Sequence, residues 1–124
     1  MSNYTIEPIC KNYIRKKPEP MQFPTYDRLS AVSDIELVRK KAQKLLGDEY
    51  DGAVVPIGIS TRKGKKYMIQ VPNGRKKIHF GDLSREDYTK HKDEKRLHAF
   101  QRRNAKWKAY PIFTPAWLSY HLLW

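Results

Sequence analysis

The chain has 124 residues and carries 25 Lys and Arg against 13 Asp and Glu, a formal charge of +12; that length suits one small core and leaves no room for separate catalytic and regulatory halves. Its single cysteine, Cys10, excludes an intrachain disulfide and a cysteine-built zinc site, which fits a reducing compartment. The opening MSNYTIEPICKNYIRKK has no leader-like apolar core, and no apolar run approaches the ~20 residues of a membrane span, so the sequence reads as soluble and intracellular.

Residues 1–31 hold Pro8, Pro18, Pro20 and Pro24. Each removes a backbone donor and fixes φ, which predicts an extended arm. Tyr4, Ile6, Tyr13, Met21, Phe23 and Tyr26 stud this arm, more apolar surface than a solvated tail carries, so it is expected to lie on its own domain or on a neighbour. Residues 32–124 read as one small α+β domain. Ser33 and Glu36 match an S-x-x-E capping box, which predicts a helix over 34–46 with Ile35, Val38, Ala42, Leu45 and Leu46 on its inner face and Gly47 as the left-handed stop.

GAVVPIGIS (52–60), KKYMIQV (65–71) and RKKIHF (75–80) read as three strands of a small antiparallel sheet. Pro56 demotes or splits the first, TRKG joins the first two, and Asn73-Gly74 sets a hairpin between the last two. Ser84 and Asp87 repeat the S-x-x-acid start, and no proline or glycine follows before Trp107, so this stretch is one long helix or two broken near Tyr88–Lys90. Leu97, Phe100, Asn104 and Trp107 make a narrow stripe on an otherwise basic helix, and Thr114-Pro115 opens a last apolar helix, AWLSYHLLW.

Charge is concentrated. Residues 61–108 hold 16 basic and 5 acidic side chains, whereas residues 109–124 hold neither. Such a block suits nucleic acid or an acidic protein. His91 and His98 stand seven apart, without the i, i+4 spacing or the cysteine that a zinc site favours, and the acids near them are more simply explained as helix ion pairs such as Asp93 with Arg96 or Glu94 with His98. There is no G-x-S-x-G, phosphate-binding glycine loop or H-E-x-x-H, and no enzyme, cofactor or metal is expected.

IHFGD (78–82), DYTKHKDEKR (87–96) with its continuation HAFQRR, and the closing PAWLSYHLLW resemble a family of small basic proteins encoded by large double-stranded DNA viruses of eukaryotes, over about residues 65–124. That family usually continues its basic helix as Y-x-x-R-H. This chain has Phe100 at the aromatic place, Arg103 at the arginine and Asn104 where a histidine is common, and His121 interrupts the closing element, in which Trp117, Leu122, Leu123 and Trp124 still match.

The resemblance implies a viral protein with no catalytic residues to carry over. Size, charge and arm then favour a minor capsid protein, cement-like or scaffold-like, made in the host cytoplasm and located in the virion, with major and other minor capsid proteins as partners. Its docking face would be Lys65, Lys66, Arg75, Lys76, Lys77, Lys92, Arg96, Arg102 and Arg103. His79, Phe80, Gly81, Asp82, His91, Asp93, Phe100, Trp107, Trp117 and Trp124 would be structural, with Asp82 capping the helix start that follows it. The alternative is a virion protein that binds nucleic acid without sequence preference through the 61–108 block.

Overall fold

The structure, a computed structural model, describes residues 20–124, so most of the expected arm, with Cys10, lies outside the described residues. Residues 20–25 are extended and rest on the loop before the second strand, where Gly64 N–H donates to the Gln22 carbonyl at 2.9 Å. Pro24 is buried there. The extended form stops short of residue 31, because Thr25 caps a five-residue helix α1 (Tyr26–Ser30) that drives Leu29 fully into the core.

Helix α2 spans Ile35–Leu46 and buries Ile35, Val38, Ala42 and Leu46 on one face. Its cap is Asp34, whose carboxylate accepts from Leu37 N–H at 3.1 Å, and not the predicted Ser33. Ser33 is instead drawn into the interior, 2.7 Å from the Tyr67 hydroxyl. Gly47 stays right-handed and opens a 3₁₀ turn (Gly47–Tyr50); the left-handed residues come later, at Asp51 and Gly52.

The sheet has three antiparallel strands in the order β1 (Ile57–Ile59), β2 (Lys65–Gln70) and β3 (Lys77–Asp82). The first is much shorter than its predicted nine residues. Upstream of Pro56, the Gln43 side chain takes the place of a partner strand, donating to Ala53 C=O at 3.0 Å and accepting from Val55 N–H at 2.9 Å. Asn73 adopts the expected positive φ (58°) but Gly74 does not, and the Val71 N–H to Lys76 C=O bond at 3.0 Å closes a longer loop than the tight Asn-Gly turn expected. The pairs Tyr67↔Phe80 and Ile69↔Ile78 turn their side chains to one face, the two rings stack at 5.7 Å, and that face meets Leu29, Val38 and Leu46. At ~1.5–3 kcal/mol for each large apolar side chain removed from water, this face dominates the core.

Beyond β3 the chain forms two helices, α3 (Tyr88–His91) and α4 (Glu94–Arg103). The break falls at Lys92, which takes a left-handed conformation (φ 57°), followed by Asp93 as the cap of α4. A 3₁₀ turn (Ala105–Ala109) leads to α5 (Pro115–Leu118), which Thr114 caps as predicted and which runs on as a π turn (Ser119–Leu123). Leu118, Leu122 and Leu123 close the core beneath the sheet. No described helix is long and apolar enough to cross a membrane.

Candidate functional site

Lys66 was expected on the docking face, yet it is 2 % exposed. Strand alternation turns it away from Tyr67, and its ammonium reaches the equally buried Asp87 carboxylate at 2.9 Å. Asp87 also accepts from the Thr89 N–H at 3.1 Å and from the Thr89 hydroxyl. Thr89 Oγ1 in turn accepts the Asp34 N–H at 3.0 Å and lies 3.3 Å from Ser33 Oγ, which meets Tyr67. The network ties β2, the entry to α2 and the start of α3 into one buried polar knot in which each member has a partner, the condition under which such groups stabilise a core. Burial pulls the Lys66 ammonium below the ordinary lysine value against the opposing pull of Asp87, and burial pushes the Tyr67 hydroxyl up.

The other motif residues are structural as well. His79 Nδ1 lies 2.7 Å from Ser60 Oγ, and Phe80 is wholly buried. Gly81 has φ +88° and stands where a β-carbon would lie 2.9 Å from Lys66 Cβ and 3.1 Å from Leu123. Asp82 caps a turn rather than a helix, accepting from Ser84 N–H at 3.0 Å and from the Ser84 hydroxyl at 2.7 Å. Asp93 accepts from the N–H groups of Lys95 and Arg96. Arg96 therefore meets Asp93 only through its backbone, while its guanidinium lies 3.7 Å from Glu86. The expected Glu94 and His98 contact is present at 3.9 Å. Phe100 stacks on Trp124 at 4.3 Å with Trp107 edge-on, and Trp117 lies against His121.

His91 fixes the α3–α4 junction. Its Nδ1 accepts the Asp93 N–H at 2.9 Å, so the neutral ring carries its proton on Nε2, a buried atom with no partner among the described residues. Protonation would place a second N–H against that of Asp93. Burial holds the His91 pKa below the ordinary value, the Arg96 charge adds to this, and Asp93, Glu86 and Asp87 oppose it. In acid the unfolded chain takes up the proton first, so stability present above about pH 6.5 is lost as pH falls through the folded-state pKa. Thermal melts between pH 7.5 and 5 are expected to show this decline. It should be shallower in His91→Asn, whose side-chain oxygen keeps the acceptor without the titration; an unchanged slope would count against the junction.

The remaining cations do not form one face. Arg75, Lys76 and Lys77 surround the β2–β3 hairpin, and Lys92 borders a hollow of about 320 Å³ over the buried knot, beside Tyr26, Asp34 and Lys90. Lys65, Arg96 and Arg103 converge on a groove of about 1580 Å³ between the β1–β2 loop, the end of β3 and α4. Arg62, Lys63 and Arg85 join them, and Phe80, Phe100, Trp107, Tyr110, Leu123 and Trp124 supply aromatic and apolar lining. The predicted Arg102 does not line this groove. Arg62, Lys63, Arg85 and Tyr110 lie outside the sequence-based face, and the places of the last two depend on the turn after β3 and on the 3₁₀ turn after α4.

A protein-family profile described as a family of unknown function (DUF5754) matches residues 55–104, which run from the entry of β1 to the end of α4 and include both members of the buried ion pair. No curated protein and no solved structure matches the chain. Over residues 55–104, this chain is similar to that family of unknown function.

Proposed function

We propose that the chain is a minor structural protein of a large double-stranded DNA virus, a small non-enzymatic component that docks onto neighbouring major and minor capsid proteins. The observation that supports this reading is a division of labour among the charged residues of the central block. The reactive-looking side chains, Lys66, Asp87, His91 and Asp93, hold the fold through local partners, while the surrounding cations border an open groove with an apolar floor. Apolar floors ringed by charge suit protein docking, the floor supplying affinity and the rim orientation.

Cryo-electron microscopy of purified virions of the encoding virus tests the proposal. Density for this fold at fixed icosahedral positions between capsomers is the expected result, and its absence from the ordered shell would overturn it. A second reading, binding of nucleic acid through backbone charge, is favoured by the exposed Arg75, Lys76 and Lys77 at the hairpin. It predicts DNA affinity that falls steeply with salt and is lost when these three become glutamate.

A further inference from the structure

We infer that the groove is a docking cleft for an acidic, amphipathic segment of another protein, whose Asp and Glu side chains meet the cationic rim while its apolar side chains fill the floor. This rests on the docking role proposed above and specifies the chemistry of the partner. Besides Lys66, which Asp87 neutralises, six cations border the groove: Arg62, Lys63, Lys65, Arg85, Arg96 and Arg103. Two exposed or half-buried acids oppose them, Asp82 and Glu86, each already within 4 Å of an arginine of the rim, Arg85 at 3.6 Å and Arg96 at 3.7 Å. The rim thus keeps an excess of positive charge, and an incoming carboxylate meets arginines able to receive it in a two-pronged geometry.

The floor decides between an acidic peptide and a nucleic-acid strand. Single strands bind where bases can lie on open aromatic faces, each such stack contributing ~1–3 kcal/mol. Phe100 already has Trp124 parallel to it at 4.3 Å with only 5° between the planes, and Trp107 meets it edge-on at 5.9 Å. With these rings packed on one another, the floor offers edges and irregular apolar hollows that branched aliphatic or aromatic side chains fill better than flat bases do. Tyr110, 45 % exposed at the wall, adds a contact with an apolar body and a polar tip. A second copy of this chain is a poor occupant because each copy carries +12 and like charges repel across an interface.

The test uses the full chain and fluorescein-labelled probes: a synthetic peptide of Glu interleaved with Leu and Phe, the same peptide with Gln for Glu, polyglutamate, and an oligo-dT of equal charge. Fluorescence anisotropy at physiological salt is expected to rank the acidic amphipathic peptide first. Its affinity should fall about tenfold or more in Arg62→Glu/Arg103→Glu and in Tyr110→Ala. It should change far less in Arg75→Glu/Lys76→Glu, which alters net charge equally outside the groove. Absence of peptide binding, equal losses in both double variants, or tighter oligo-dT binding that responds to the groove variant would each overturn the assignment. Virion density reports the capsid role independently, so the two readings fail separately.

Discussion

Replacing Asp87 with alanine is expected to destabilise the protein by about 3–5 kcal/mol, the usual cost of leaving one member of a buried ion pair without its partner. For a chain of this size that lowers the melting temperature by roughly 10–20 °C. The loss is large because one carboxylate serves three donors: the Lys66 ammonium, the Thr89 N–H and the Thr89 hydroxyl. Lys66 lies almost wholly out of water, and Asp87 is its one ion-pair partner among the described residues. A double-mutant cycle checks the assignment. Lys66→Met in the Asp87→Ala background removes the stranded charge and should recover part of the lost stability; an Asp87→Ala variant that melts within a few degrees of the parent would sink the idea that the pair holds the fold.

Gly81→Ala should cost about 2–5 kcal/mol, combining the strain of a left-handed residue with overpacking. A methyl group at this position meets Lys66 Cβ at 2.9 Å, Lys66 Cδ at 3.1 Å and Leu123 at 3.1 Å. None of these can retreat easily, since Lys66 is anchored to Asp87 and Leu123 is part of the core. Gly58→Ala on β1 is the matched control. It has nothing within 4 Å and no positive φ, so denaturant midpoints should shift little or upward. Comparable losses at both glycines would refute the packing argument at Gly81.

The α+β class, three strands, positive φ of Asn73 and Thr114 cap were legible because each follows from local chemistry that a few adjacent residues carry. The limits of β1 were not, since the competing partner of Ala53 and Val55 is the Gln43 side chain, ten or more residues away on α2. Ser33 misled for a similar reason. Its match to a capping box is real, but a buried tyrosine 34 residues away takes its hydroxyl, and Asp34 beside it can cap instead. The helix break at Lys92 depends on His91 accepting the Asp93 N–H, a contact that no hydrophobic period reveals. Lys66 was the most instructive miss. Strand alternation put it opposite Tyr67, but a lysine in a basic run reads as solvated unless the position of Asp87 in space is known. The groove was legible only as a charge block, because its walls come from a loop, a strand end and a helix distant in sequence.

The buried knot governs how the molecule opens. The amides of Asp34 and Thr89 are held by side-chain oxygens inside it, and the Asp87 N–H donates to Val32 C=O at 3.1 Å. None of these protons can meet solvent through fraying of a single helix, because the loop before α2 and the start of α3 are fastened to each other and to β2. Their hydrogen exchange should therefore be among the slowest in the protein, and the two helix starts and the central strand should separate as one cooperative unit.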